Sequence, residues 1–409
     1  MNLKLSAKSI KIATDTTISG SKSESNRLLI LQQLYKNINI KNLSDSDDTH
    51  HLQDALSSEN EIADIGHAGT AMRFLTAFFA TQEGVTKILQ GSDRMHNRPI
   101  EILVNALRDL GADIAYVQKE GYPPLKITGK KLSKEKVAIN GNVSSQYISA
   151  LMLIAPSLQN GLEIELLGKV TSVPYIKMTL SLLHQVGVKA QFNDNKITIK
   201  AIDKIAPLDV VVESDWSSAS YFYSIIALSK IGSSVKLSAY KKDSLQGDSC
   251  LVRIYEHFGV TTSFQENSIV LTKEKPHNTQ TLTEDLKSAP DIAQTIAVTC
   301  FGLGIACDLS GLHTLKIKET DRLEALQKEL TKLGATITVT NETLHLKEAS
   351  QIQENVKIAT YNDHRMAMAF APLALRVPIQ ILDANVVTKS FRSFWKDMQQ
   401  IGIETIEVK

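Results

Sequence analysis

Cysteine, charge of one sign and long apolar runs are all scarce in this 409-residue chain, and each shortage removes a class of protein. The three cysteines, Cys250, Cys300 and Cys307, are an odd number in no zinc-like spacing, so neither a disulfide framework nor a zinc site is expected. The 45 basic and 44 acidic residues nearly cancel, which removes the one-signed field that nucleic acid or a membrane surface requires. No stretch approaches ~20 uninterrupted apolar residues, and the first residues, MNLKLSAKSIKIATD, alternate like a strand instead of carrying an apolar signal core. The expectation is a cytoplasmic protein of two or three domains, each large enough to fold on its own core. Several motifs are missing too. There is no G-x-x-x-x-G-K-S/T loop, no G-x-G-x-x-G and no H-E-x-x-H, and Ser19-Gly20-Ser21-Lys22 fits an S-x-x-K pattern without the S-D-N or K-T-G that would give it meaning.

What is present is repetition. A helical run ending in glycine, followed by an alternating strand, recurs at Gly111, Gly187, Gly259, Gly334 and Gly402, spaced by 76, 72, 75 and 68 residues. Five to six such units fit the chain. After the middle glycines come hairpin patterns such as VKAQFNDNKITIK, with NDN as the turn. Each unit also holds runs that are apolar nearly all round, among them GTAMRFLTAFFA, SSASYFYSIIALS and DHRMAMAFAPLAL. Such helices have to be buried, so the expected class is α/β, with helices inside and sheets made by the hairpins outside. A division near residue 213 would give three units to each half.

The N-terminal ends of those helices carry small, basic and hydroxyl residues: SGSKSESNR, GHAGTAMR, NVSSQY, APDIAQ and TYNDHRM. Capping explains Ser, Asp and Asn at such places. It does not explain the cations Lys22 and Arg27 at the positive end of a helix dipole, which anion binding does. Seven basic positions sit near such ends or loops: Lys22, Arg27, Arg94, Lys318, Arg322, Arg365 and Lys389. Together they suit a ligand set carrying roughly −5 to −6, equivalent to two phosphates and two carboxylates. Two acids stand in this basic context, Asp291 after Pro290 and Glu319 within KIKETDR. Either reads as a helix cap or an ion-paired helix residue, or as a proton carrier in an anion site. The cluster SDSDDTHH reads as the acidic first turn of a helix in preference to a metal site.

Taken together, GSKSESNR (20–27), AGTAMR (68–73), DRMHNRP (93–99), VSSQY (143–147), PDIAQTIA (290–297), KIKETDRL (316–323), TYNDHRMAMAF (360–370) and TKSF (388–391) resemble the 5-enolpyruvylshikimate-3-phosphate (EPSP) synthase family, in family order. The resemblance implies an inside-out α/β fold of two similar domains, each of three βαβαββ repeats, at residues 21–212 and at 1–20 with 213–409. It implies transfer of the enolpyruvyl group of phosphoenolpyruvate to the 5-hydroxyl of shikimate 3-phosphate, with no metal or organic cofactor, by a monomer whose partners are small molecules.

Carried over by position, the resemblance places Lys22, Arg94, Gln146 and Lys389 on the phosphoenolpyruvate phosphate, and Arg322 and Arg365 on its carboxylate. Gly69 and Thr70 would form the tight helix start beside the transferred group. Lys22, Ser23, Arg27, Ser144, Ser145 and Gln146 match positions that hold shikimate 3-phosphate, as do Ser172, Tyr175, Asp291 and Lys318. The chemistry needs an acid at the methylene carbon and a base at the attacking hydroxyl. These roles fall to Glu319 and Asp291, with Lys22 assisting the leaving phosphate. Three departures from the family pattern are His67, Phe74 and Thr314. The alternatives are a UDP-N-acetylglucosamine enolpyruvyl transferase, which would have Lys-Asn where this chain has Lys22-Ser23 and a cysteine-bearing loop near 85–125, and a non-catalytic anion-binding relative. The second is disfavoured because both proton carriers remain.

Overall fold

The computed structural model describes residues 1–7, 10, 14–170 and 173–408 of the chain, which divides into two compact units. One is continuous, Gly20–Val212, and the other joins Met1–Ser19 to Glu213–Lys409.

The unit Gly20–Val212 holds six helices among its described residues: α1 (Lys22–Leu34), α2 (Asp47–Ser57), α3 (Gly69–Ala80), α4 (Glu101–Asp109), α5 (Ser145–Ile154) and α6 (Val173–Gln185). Its two four-stranded sheets are built alike. In each, the first two strands are parallel and joined through a helix, and the last two form a hairpin that adds antiparallel to the second strand. One sheet runs in spatial order Ile62–Asp64, Thr86–Gln90, Leu125–Thr128, Asp113–Tyr116, and the other Lys136–Asn140, Leu162–Leu167, Lys196–Ile199, Ala190–Asn193. A parallel pair, Leu208–Val211 with Ile38–Lys41, stands for the third repeat. In the second sheet the NDN turn expected from sequence connects the hairpin, with Asp194 left-handed at φ 52°.

The second unit holds α7 (Trp216–Leu228), α8 (Leu251–Glu256), α9 (Ala293–Leu303), α10 (Arg322–Lys332), α11 (His364–Phe370) and α12 (Phe394–Ile401). Its three described sheets are four-stranded with the same order and sense. In one of them the strand Asn2–Ser6 lies between Ile379–Ile381 and Glu404–Val408, antiparallel to both, so the last repeat takes a strand from the start of the chain.

The helix–glycine–strand phrase works as a C-terminal stop. Gly187 after α6 has φ 87° and Gly402 after α12 has φ 109°, conformations that a side chain would strain. Where one long run was expected over DHRMAMAFAPLAL, α11 gives way to a 3-10 turn, Ala371–Leu375, because Pro372 lacks the N–H that a continuing helix needs.

The helices apolar on all sides are the interior of each unit. Every residue of α3 but Thr70, of α5 but Gln146, and of α7 but Ser217 is buried. Trp216, Tyr221, Phe222 and Tyr223 of α7 are each under 2% exposed. Aromatic side chains of this size contribute about 4–6 kcal/mol each in gross burial. The three residues left accessible share one position, the first turn, so packing alone directs polar side chains to the helix N-termini.

Candidate functional site

The two units each assemble a polar group at helix N-termini. In Gly20–Val212 the termini of α1 and α3 have no side-chain cap: Ser21 makes no capping bond, and Ala68 has no side chain that could. By contrast, α5 is capped by Ser144, which accepts from the Gln146 backbone N–H at 3.4 Å, and α2 by Ser46. Lys22 opens α1 and its Nζ lies 3.0 Å from Oδ2 of Asp48 on α2. The Gln146 amide donates to Thr70 Oγ1 at 3.1 Å, tying the starts of α3 and α5 together.

Gly69 serves a close approach: a Cβ there would come within 2.5 Å of Nη1 and 2.8 Å of Nη2 of the Arg98 guanidinium. Ser23 presents its carbonyl to Arg27 at 2.7 Å, and the Tyr175 ring is 5.9 Å from the Arg27 guanidinium carbon. Ser145 is buried in the first turn of α5, and Arg94 is exposed ahead of a 3-10 turn, Met95–Asn97. Ser172 lies outside the described residues.

Arg27 is placed differently from a simple ligand contact. It is buried, with Nε donating to Thr179 Oγ1 at 2.8 Å and Nη2 to Ser149 Oγ at 3.0 Å, and Phe74 lies beneath it at 5.4 Å. Burial lowers its pKa to about 10, opposed by Tyr175 and Glu24. Phe74, one of the departures from the family pattern, is thus a platform for this cation.

The second unit concentrates charge more tightly. Arg322, the first residue of α10, is 2% exposed and meets three carboxylates: Nε donates to Asp363 Oδ2 at 2.6 Å, Nη1 to Asp291 Oδ1 at 2.8 Å and Nη2 to Glu319 Oε2 at 2.7 Å. A planar fork with five donors suits this arrangement, and a lysine could not replace it. Burial alone would lower the Arg322 pKa, but Asp363, Glu319 and Asp291 together raise it above the ordinary value.

Asp291 sits in a 3-10 turn, Pro290–Ile292, and does not cap α9. It is ringed by Arg322, by Lys318 Nζ at 3.3 Å and by Arg365 Nη2 at 3.4 Å. Burial pushes its carboxyl up, but Arg365, Lys318 and Arg322 outweigh burial and hold it well below the usual carboxylate range. Glu319 lies in the connection ahead of α10, outside any helix. Lys389 closes a 3-10 turn, Ala384–Lys389, and donates to the Asn362 carbonyl at 2.7 Å.

Sequence reasoning missed three acids that the geometry makes prominent. Asp363 is fully buried; it caps α11 by accepting from the Arg365 amide at 2.8 Å while holding Arg322. Asp48 neutralises Lys22, and Asp248 accepts from Ser217 beside Arg365. Both Asp363 and Asp48 lay within phrases already singled out, TYNDHRM and SDSDDTHH, but read there as caps and first-turn acids. A cation four or fewer residues away would have been a signal, and for Asp48 there is none: Lys22 is 26 residues distant.

Comparison with known proteins gives a consistent result. The family model described as EPSP synthase (3-phosphoshikimate 1-carboxyvinyltransferase) matches residues 53–398. A 3-phosphoshikimate 1-carboxyvinyltransferase of Bacteroides fragilis strain YCH46 is 44% identical over 406 residues, covering 98% of both chains. One from Haemophilus influenzae strain PittEE is 37% identical, with 93% of this chain and 95% of the relative covered. Among solved structures, an EPSP synthase from Acinetobacter baumannii superposes with a TM-score of 0.83 at 20% identity, covering 99% of this chain and all of the other. The enolpyruvyl transferase NikO from Streptomyces tendae gives 0.75 at 13% identity, covering 100% of this chain and 99% of the other. At those identities the two structures bear on the fold, which is the inside-out α/β fold expected from the repeats.

Proposed function

Since the chain belongs to the EPSP synthase family, we infer that it transfers the enolpyruvyl group of phosphoenolpyruvate to the 5-hydroxyl of shikimate 3-phosphate, releasing phosphate. The observation that carries this reading is the Arg322 fork, with both proposed proton carriers, Asp291 and Glu319, bonded to one buried guanidinium.

The substrate carboxylate is assigned to Arg322 and Arg365. Its arrival gives Arg322 a competing anion, which frees the Glu319 carboxylate to take a proton from solvent and deliver it to the methylene carbon. The same neutralisation of Arg322 and Arg365 weakens the field that holds Asp291 so far down, making it a better base for the 5-hydroxyl proton. The alkoxide oxygen then bonds to the central carbon. The tetrahedral intermediate loses phosphate and a methyl proton; Glu319 takes the methyl proton back, and the hydroxyl proton held by Asp291 passes to the departing phosphate or to solvent. Lys22, Arg94, Gln146 and Lys389 are assigned to the leaving phosphate, a charge best met by cations already in place.

Gly69 and Thr70 leave room beside the transferred carbon. Shikimate 3-phosphate is assigned to Lys22, Ser23, Ser144, Ser145 and Gln146, and to Ser172, Tyr175, Asp291 and Lys318. Arg27 serves the same ligand by setting the Ser23 carbonyl and the Tyr175 ring. The repeats divide between domains at 21–212 and at 1–20 with 213–409. Among the described residues no helix is long and apolar enough to cross a membrane; the near-neutral charge favours small-molecule partners over nucleic acid, and family membership is the ground for reading the protein as a cytoplasmic monomer.

The test is phosphate release from phosphoenolpyruvate with shikimate 3-phosphate, with UDP-N-acetylglucosamine and with neither. Release with shikimate 3-phosphate alone, reduced about 10²–10⁴-fold in Asp291→Ala, is the expected result. Release driven by the nucleotide sugar, or none at all, overturns the assignment.

A further inference from the structure

Ser217 is the one residue of α7 that is not buried, and its hydroxyl stands between two charged groups. It donates to Oδ2 of Asp248, on the 3-10 turn Gly247–Cys250, and accepts from Nη2 of Arg365 at 3.3 Å. Among the described residues the Arg365 guanidinium otherwise meets Asp291, at 3.3 Å to the carbonyl and 3.4 Å to Oδ2. These contacts are long beside the 2.6–2.8 Å bonds that pin Arg322. Of the two arginines assigned to the substrate carboxylate, one is fixed by three acids at short range, and the other is held by longer contacts to Asp291 and by the Ser217 hydroxyl. A hydroxyl has one proton. While it is committed to a carboxylate, the oxygen lone pairs face the guanidinium.

We propose that Asp248, acting through Ser217, is the positioning residue that aims Arg365 at the carboxylate of phosphoenolpyruvate, and that it does so only when ionised. The inference rests on the assignment of Arg365 made above. Burial first, and then the like charge of Asp291, raise the Asp248 carboxyl to about 6, with Arg365 and the Ser217 bond opposing and Asp215 adding to the rise. Of the other titratable groups facing it, Asp215 is occupied in capping α7, and the Cys250 thiol is pushed to about 12 by burial and by Asp248 itself, so it stays neutral. Below about pH 6 Asp248 gains a proton and becomes a donor. Ser217 then turns its own O–H toward Arg365, and the arginine loses its acceptor.

The experiment is kcat/KM for phosphoenolpyruvate from pH 5 to 8, for wild type, Asp248→Asn and Ser217→Ala. Substrate phosphates titrate near pH 6 in every protein, so the informative quantity is the ratio of wild type to variant at each pH. Both variants are expected to raise KM for phosphoenolpyruvate about tenfold at pH 7.5, with KM for shikimate 3-phosphate within about twofold. The ratio should fall toward one below pH 6. A ratio constant with pH, or an unchanged KM for phosphoenolpyruvate, overturns the proposal while wild-type turnover leaves the function standing. An inactive wild type overturns the functional assignment beneath it. Should Asp248→Asn fail to fold, Ser217→Ala removes one oxygen and gives the same two readouts.

Discussion

Removing Asp363 tests whether the charge cluster around Arg322 is a structural unit as well as a chemical one. The side chain is fully buried, accepts from Arg322 Nε at 2.6 Å and caps α11 through the Arg365 amide at 2.8 Å. Breaking a buried ion pair from one side costs about 3–5 kcal/mol, and loss of a cap adds about 1. Arg322 keeps Asp291 and Glu319, which places Asp363→Ala near the lower end of the sum, about 4 kcal/mol. Asp363→Asn keeps an acceptor for the cap and loses only charge, so it should be milder by about 1 kcal/mol. Both tryptophans, Trp216 and Trp395, lie in the unit that contains Asp363. Their fluorescence during urea or thermal unfolding therefore reports that unit alone. For a body of this size each kcal/mol moves Tm by roughly 2–4 °C, so the alanine variant should melt about 8–16 °C lower. If both variants melt within 2 °C of wild type, Asp363 is not holding Arg322 in the way its geometry indicates.

Asp248→Asn should make the protein more stable at pH 7.5, by roughly half as much at pH 5, and leave it unchanged only below about pH 4. The folded carboxyl titrates at about 6 against an ordinary 3.8, so the fold favours the protonated form, and the cost of holding the charge is present above pH 6 and absent below the ordinary value. At ~1.4 kcal/mol per pH unit the gain is at most about 3 kcal/mol, and a fall in Tm at pH 7.5 would contradict it. Gly69→Ala should leave Tm within about 2 °C, since the colliding atoms belong to the end of the Arg98 side chain, yet raise KM for phosphoenolpyruvate; a loss of several kcal/mol would show that Arg98 cannot move. Lys22→Met should slow turnover about 10²-fold or more, whereas Asp48→Asn, which leaves the cation in place, should cost under tenfold. Equal losses would mean that Asp48 does more than neutralise Lys22.

The parts of this protein legible in its sequence are those governed by short-range periodicity. Helices apolar on every face, such as α7, have one physical solution, which is burial. A glycine closing a helix, as at Gly187, announces its own backbone angle. The site was legible as cations and acids at helix starts, and Lys318, Arg322 and Arg365 do gather around Asp291. What did not show is which acid would meet which base. Asp363 is 41 residues from Arg322, and Asp248 is 31 from Ser217, and each has a local role as cap or turn residue that accounts for it fully. Arg27 illustrates the converse: its place at a helix start reads as ligand binding, but Thr179, 152 residues away, and Ser149 turn it inward. The Asn2–Ser6 strand looked like a strand, while its neighbours, nearly 400 residues distant, follow only from the closed repeat pattern.

That strand imposes an order of events during synthesis. Its two partners, Ile379–Ile381 and Glu404–Val408, are translated long after it, so the strand has nothing to pair with until they emerge from the ribosome. At about 5–20 residues per second the wait is roughly 20–80 s. The continuous stretch Gly20–Val212 has its own core and sheets and can settle during that interval. The other unit closes only when Ile379–Ile381 and Glu404–Val408 have joined Asn2–Ser6, so its final assembly waits on the arrival of those late strands.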